Sequence, residues 1–274
     1  MIIDSHQHFW KYNPVRDSWI DDSMKVIQKD FLPEDLHPIL KANGIDGCIA
    51  VQADQSEEET LFLLALAEQH SFIKGVVGWV DLRAAHVEER LELFSRNSLF
   101  KGVRHIVQAE SDSFVLQEVF QKGISKLDKF GLTYDILVLP NQLENARKLV
   151  ETFPNQKFVL DHIGKPYIRD KKIENWENNI KELAKFENIS CKLSGFVTEA
   201  DWGNWEAENF KDYFDIVFEA FGTDRILFGS DWPVCQLAAE YEEVVQAVTN
   251  YIVNLSTNEQ KRVFGENAVE FYNL

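Results

Sequence analysis

A chain of 274 residues, 45% hydrophobic and 27% charged, has the composition of a globular protein with a large core, and no apolar run reaches the roughly 18 residues that cross a bilayer. Its formal net charge of −17 opposes binding to nucleic-acid phosphates and anionic membrane, so neither is expected as a partner, and an anionic substrate would need a locally basic pocket. Cys48, Cys191 and Cys235 are odd in number and far apart, which argues against disulfides and thiolate metal sites; with no basic or apolar leader before the first strand, a reducing, cytoplasmic location is expected.

The first predicted strand, 2–6, runs into Asp4-Ser5-His6-Gln7-His8. Side chains alternate along a strand, so His6 and His8 share a face and offer either half of a metal site or one wall of a polar pocket. A long connection, 9–32, follows, rich in aromatics and charge (Trp10, Tyr12, Trp19), and reads as a binding loop or a packed surface loop. A helix is expected at 33–42, opened by Pro33-Glu34-Asp35. Seven further β-branched apolar runs come in order: 47–52, 75–80, 102–107, 133–138, 158–163, 189–193 and 226–229. Between and after them lie amphipathic stretches at 57–70 (with Leu61, Leu64 and Ala65 on the helical repeat), 84–96, 113–130, 142–153, 173–186, 206–221 and 240–255. A second long connection, 194–205, carries Trp202 and Trp205.

Strand and helix alternating eight times predicts a closed parallel (β/α)8 barrel forming one domain, 1–274, with a long loop after its first strand. An open doubly wound sheet is the second choice, because no Gly-X-Gly-X-X-Gly follows the first strand. Barrels of this kind carry their sites at the carboxyl ends of the strands. Those ends hold His6 and His8, Arg104 and His105, Asp161 and His162, Lys192 and Ser194, and Asp231 with Trp232. Four of the seven histidines fall there, whereas His37, His70 and His86 lie on or beside helices.

His6, His8, His162 and Asp231 could bind one divalent ion, or substrate and water without a metal. Asp231 is a natural general base in either case. Arg104 suits a carbonyl oxygen or carboxylate, or a structural salt bridge. His105, its neighbour, faces the opposite way, so only one of the two points into the barrel. Lys192 either stabilises an oxyanion or pairs with Asp161. Cys235 reads as inert packing.

Several stretches together carry a resemblance: His6-Gln7-His8-Phe9-Trp10, Phe31-Leu32-Pro33-Glu34-Asp35-Leu36, Gly75-Val76-Val77-Gly78-Trp79-Val80-Asp81-Leu82, Gly102-Val103-Arg104-His105, Asp161-His162-Ile163-Gly164-Lys165-Pro166, Cys191-Lys192-Leu193-Ser194-Gly195 and Phe228-Gly229-Ser230-Asp231-Trp232-Pro233, closed by Phe264-Gly265-Glu266-Asn267-Ala268. Over essentially its whole length the chain resembles the sugar-lactonase branch of the amidohydrolase superfamily, the relatives of L-fuconolactonase and L-rhamnonolactonase. The resemblance implies a (β/α)8 barrel and hydrolysis of an ester-like bond. Two-metal members use a Lys or Glu on the fourth strand and a His on the fifth. Here the fourth offers Arg104 and His105, and Thr133-Tyr134-Asp135-Ile136-Leu137 has no His. A binuclear site is therefore not expected. What remains is a single ion on His6, His8, His162 and Asp231, zinc being the first choice, or no metal at all, as in lactonase relatives.

The resulting expectation is a lactonase acting on a small sugar lactone. Asp231 would activate water, and His162 with Arg104 or His105 would polarise the carbonyl. Trp19 and Trp232 would stack on the sugar, and Lys192 would read its hydroxyls. The rivals are a lactonase for a pyrone dicarboxylate, which needs several arginines at the mouth (Arg104, with Arg16 and Arg83), a metal-dependent decarboxylase of the same superfamily, and a barrel that only binds sugar acids.

Overall fold

Eight parallel strands stand in sequence order in the computed structural model, which describes residues 1–274. They are β1 (Ile3–Gln7), β2 (Gly47–Val51), β3 (Ile73–Gly78), β4 (Phe100–Ile106), β5 (Thr133–Leu137), β6 (Phe158–Leu160), β7 (Ile189–Leu193) and β8 (Ile226–Phe228). The sheet curls so that β8 meets β1. Asp231 N donates to His6 O (2.8 Å), His8 N to Trp232 O (2.7 Å) and Ser5 Oγ to Phe228 O (2.6 Å). The expected (β/α)8 barrel is thus what the chain forms.

The outer layer holds α1 (Pro33–Ala42), α2 (Glu57–Gln69), α3 (Val87–Ser95), α4 (Glu118–Leu127), α5 (Leu143–Thr152), α6 (Glu174–Leu183), α7 (Glu208–Phe221) and α8 (Tyr241–Tyr251), followed by α9 (Thr257–Lys261) and α10 (Asn267–Tyr272). Their ends follow local chemistry. Pro33 opens α1 where its missing N–H costs nothing, and Ser56 caps α2 by accepting from Glu59 N. The buried stripe of α4 is Phe120, Ile124 and Leu127, and that of α7 includes Phe210, Phe214, Val217 and Phe221.

Side chains pointing outward from the strands, such as Cys48, Ala50, Val103, Tyr134, Ile136, Cys191 and Leu193, pack with the helices in one large cluster. The inward ones, Ile3, Ile49, Val51, Val77, Val159 and Leu227, form a small separate cluster closed below by Ala268 and Tyr272 of α10. The barrel interior is therefore apolar towards its base and, as shown below, charged above it.

Three expectations are corrected, and the long connection is described more closely. On α2 the buried face is Thr60, Leu63, Leu64 and Ala67, while Leu61 is 57% exposed and Ala65 is also exposed. The helix carries apolar residues on more than one side, and packing against β3 decides which side is inward. The stretch 113–130 is broken: α4 is preceded by a 3₁₀ turn at Phe114–Leu116 and followed by another at Asp128–Phe130, which ends at Gly131 with φ 66°. The sixth strand stops at Leu160 rather than 163, because the chain turns sharply at Asp161. Finally, the 9–32 connection is closed on itself, Trp10 and Phe31 exchanging backbone hydrogen bonds of 3.0 and 2.9 Å.

Candidate active site

The pairing of β1 with β2 slips between Asp4 and Gln7: Asp4 faces Cys48, and Gln7, three residues on, faces Ala50, two residues on. This β-bulge inserts one residue and resets the alternation, so Ile3 and His6 both face the interior. His8, two further on, shares that face, and the Nε2 atoms of His6 and His8 lie 3.2 Å apart.

Each ring is fixed from behind. His8 Nδ1 donates to Val51 O (2.7 Å), and His6 Nδ1 faces Asp161 Oδ1 (3.2 Å). Both Nε2 atoms are thereby turned toward each other. Asp231 Oδ1 joins them, 3.7 Å from His6 Nε2 and 3.3 Å from His8 Nε2. Three potential ligand atoms this close together make a site suited to positive charge. The edges of a tetrahedron around zinc, with bonds of about 2.0–2.2 Å, are about 3.3–3.6 Å. The donor set and its spacing fit a divalent ion.

Beneath this triangle lies a buried charge network. Arg104 Nη1 on β4 donates to Asp161 Oδ2 (3.0 Å) and reaches His6 Nε2 (3.3 Å), while its Nη2 bonds Gln52 through the backbone oxygen and Oε1. Lys192 Nζ on β7 sits 2.5 Å from Asp135 Oδ2 on β5, 3.1 Å from Asp161 Oδ1 and 3.3 Å from His6 Nδ1. Tyr272 Oη donates to Asp135 Oδ2 from below (2.9 Å).

Burial pushes the Asp161 carboxyl up, but Lys192, His6 and Arg104 together outweigh it and hold Asp161 well below the usual carboxylate range. Burial pushes Asp135 up to about 6, with Lys192 opposing. Burial also drives His6 and His162 well below the ordinary histidine value of 6.5, so both are neutral imidazoles near neutral pH. Asp231 feels the same upward push from burial, yet His162 and His8 hold it below its ordinary value, so it stays ionised.

His162 enters on an unusual backbone. His162, Ile163, Gly164 and Lys165 have φ of 54°, 49°, 72° and 50°, one turn of left-handed helix that costs non-glycine residues about 1–2 kcal/mol each. Trp176 Nε1 anchors the turn at Ile163 O (2.8 Å), and Ser194 Oγ holds His162 Nδ1 (3.0 Å). Gly195, itself at φ 61°, lies flat against the imidazole; a Cβ there would stand 2.4 Å from His162 Nδ1. Gly195→Ala is expected to cost about 2 kcal/mol or more, through left-handed strain and displacement of the ring. Urea denaturation checks this, and an unchanged midpoint would contradict it.

Of the residues singled out in the sequence, His6, His8, His162, Asp231 and Arg104 converge. Three do not take the places expected. His105 points outward: it stacks on Phe114 (4.7 Å) and pairs with Glu110 (3.0 Å), because its neighbour Arg104 takes the inward position. Lys192 is inside and wholly buried, paired with Asp161 as one of its two readings had it and also with Asp135, so it forms the floor and not the expected reader of hydroxyls. Trp232 is 1% exposed, packed edge-on between Phe9 and Phe31, and has no face to offer a sugar. Trp19 is 43% exposed at the rim, edge-on to Trp10, whose ring lies 6.4 Å from that of His8. Trp202 and Trp205 tie down their own loop through Thr198 O and Ala238 O. Sequence reasoning missed Gln52, Asp135 and the orienting role of Asp161. The available signal was a charged residue set between outward apolar ones, as in Tyr134-Asp135-Ile136.

The profile of the amidohydrolase family matches residues 3–274. An L-fucono-1,5-lactonase from Burkholderia multivorans is 39% identical, over 99% of this chain and 96% of that protein. A second L-fucono-1,5-lactonase, from Burkholderia ambifaria, is 32% identical over 99% and 95% of the two chains. A solved structure of an amidohydrolase from Burkholderia multivorans with bound zinc is 40% identical and superimposes with a TM-score of 0.97, covering 100% of this chain and 99% of that one.

Proposed function

The chain belongs to the amidohydrolase family, and from that premise we propose that it is a lactonase opening a sugar lactone of the L-fucono-1,5-lactone type to the sugar acid. The observation that carries the reading is an ionised, buried Asp231 aimed at the imidazoles of His6 and His8, with His162 beside them.

In this reading Asp231 takes a proton from water as the water oxygen attacks the lactone carbonyl. His162, its Nδ1 occupied by Ser194, presents Nε2 to the carbonyl oxygen and steadies the charge that develops there. The ring oxygen leaves and receives that proton from Asp231, giving the hydroxy acid, whose new carboxyl then releases its own proton to solvent. Arg104 does not touch the substrate. It holds Asp161 and His6 in place. Trp19 at the rim, backed edge-on by the buried Trp10, supplies an apolar wall for the sugar face. His6, His8 and Asp231, with His162 alongside, would hold a divalent ion, zinc by its donor set; when bound, such an ion supplies Lewis acidity and lowers the pKa of water.

The pyrone-dicarboxylate reading loses its support in the ion pairs. Arg16 is engaged by Asp17 (2.7 Å), Arg83 by Asp81 (3.1 Å) and Arg104 by Asp161 (3.0 Å), which leaves no free arginine cluster for two carboxylates. A proton-release assay over L-fucono- and L-rhamnono-lactones and a pyrone dicarboxylate tests the proposal. Opening of the aldonolactones is expected, and turnover of the pyrone alone would overturn it.

The pH profile follows from the same burial. His6 and His162 have depressed values, so neither protonates as pH falls through 6.5. kcat/KM is expected to stay level from pH 8 to below 6.5 and to fall only at more acid pH. An acid limb centred at 6.5 would contradict it. The substrate is a small molecule, and no helix is long and apolar enough to cross a membrane.

A further inference from the structure

Asp4 lies on the opposite side of β1 from His6, wholly buried against α8. All of its accepting capacity is used. Oδ1 accepts from Ser230 N (2.9 Å) and His6 N (3.1 Å), and Oδ2 from Ser230 Oγ (2.6 Å) and Tyr241 Oη (3.0 Å). Ser230 Oγ in turn accepts from Trp232 N (3.0 Å). Asp231 sits between these two residues, and its own N–H reaches His6 O (2.8 Å).

Asp231 has φ 59°, a left-handed conformation that a non-glycine residue keeps only when its surroundings impose it. The residues on either side of it are both held by Asp4, one directly and one through the Ser230 hydroxyl. The same carboxylate also holds the backbone of His6, which faces the Asp231 side chain. We infer that Asp4 is a positioning residue: by clamping Ser230, and through it Trp232, to His6, it fixes the left-handed backbone of Asp231 and aims its carboxylate at His6 and His8. This rests on the reading of Asp231 as the base. The clamp works by hydrogen-bond geometry, since an asparagine at position 4 could accept both backbone N–H groups on its oxygen and donate from its amide to Ser230 Oγ and Tyr241 Oη.

The test compares wild type with Asp4→Ala, Asp4→Asn, Ser230→Ala, Tyr241→Phe and Asp231→Asn. It measures kcat, KM, thermal midpoint and amide hydrogen exchange across residues 229–235. Asp4→Ala and Ser230→Ala are expected to lower kcat about 10–100-fold with KM within about twofold, and to speed exchange at the Asp231 amide about tenfold. Asp4→Asn recovers most of that rate, and Tyr241→Phe, which touches Asp231 least, has the smallest effect. If Asp4→Ala does not fold, Ser230→Ala carries the comparison. Variants that melt earlier yet keep kcat and exchange at wild-type values would reduce Asp4 to a structural role and overturn the inference. Wild-type kcat in Asp231→Asn would instead remove the base, and the exchange data would still decide the clamp.

Discussion

Asp231→Asn is expected to lower kcat for lactone opening by about 10²–10⁴-fold, the range that general-base catalysis supplies. Asparagine has the same shape. It keeps the backbone bonds from Asp231 N to His6 O (2.8 Å) and from Cys235 N to Asp231 O (2.9 Å), so the rim of the barrel stays closed. What it loses is the anion. Burial acts against that anion, and His162, His8 and the Lys165 charge hold it ionised. An amide cannot take a proton from water, so the loss falls on kcat, with KM changing little. Folding stability should fall slightly, since the fold holds this carboxyl below its ordinary value and so favours the anion that asparagine lacks. Initial rates by proton release decide the matter, and retention of more than about a tenth of wild-type kcat would show that another group activates water.

The largest stability effect is expected from Lys192→Met. The ammonium is buried between Asp135 (2.5 Å) and Asp161 (3.1 Å), and all three side chains are sealed from solvent. Methionine fills a similar volume but leaves two carboxylates facing each other, with only His6, Arg104 and Tyr272 left to partner them. Breaking such a buried pair from one side costs about 3–5 kcal/mol. For a chain of this size that lowers the thermal midpoint by roughly 10 °C.

The pH dependence has a definite sign. Asp135 already sits at about 6 against an ordinary 3.8, so its carboxyl is better tolerated in the fold when protonated. Its contribution to stability is full below 3.8 and is lost as pH rises through about 6. Removing Lys192 pushes that value higher still. The deficit of the variant should therefore be greatest above pH 6 and shrink on acidification. Adding Asp135→Asn should return a large part of the loss. A deficit independent of pH would show that packing, not charge, was at stake.

The fold was legible because its signal is repetition. Eight apolar runs, each followed by a helical stretch, leave few topologies, and the boundaries at 33–42 and 189–193 coincide with α1 and β7. Period-two alternation also resolved more of the site than expected: it placed His6 beside His8 and separated Arg104 from His105. It did not reveal the bulge in β1, which depends on how β2 pairs with it and leaves no mark in the residues themselves. Nor did it reveal the left-handed turn at 162–165. Ile163 is β-branched and Lys165 is long, the residue types least expected at positive φ, and only anchors distant in sequence such as Trp176 and Ser194 keep them there. The misplacement of Trp232 has a similar cause. Its position beside Asp231 marked it as part of the mouth, but Phe9 and Phe31, from the other end of the chain, enclose it.

The closing of the barrel base by α10 also orders the molecule in time. Asp135 waits 57 residues for Lys192 and 137 for the hydroxyl of Tyr272. On a ribosome, the first six strands emerge while the floor of the catalytic pocket still lacks its lysine. The last polar partner emerges 137 residues after the acid it serves. A barrel with fewer repeats would hold an unmatched acid at its centre, so half-made chains have an electrostatic reason, besides open strand edges, not to settle early.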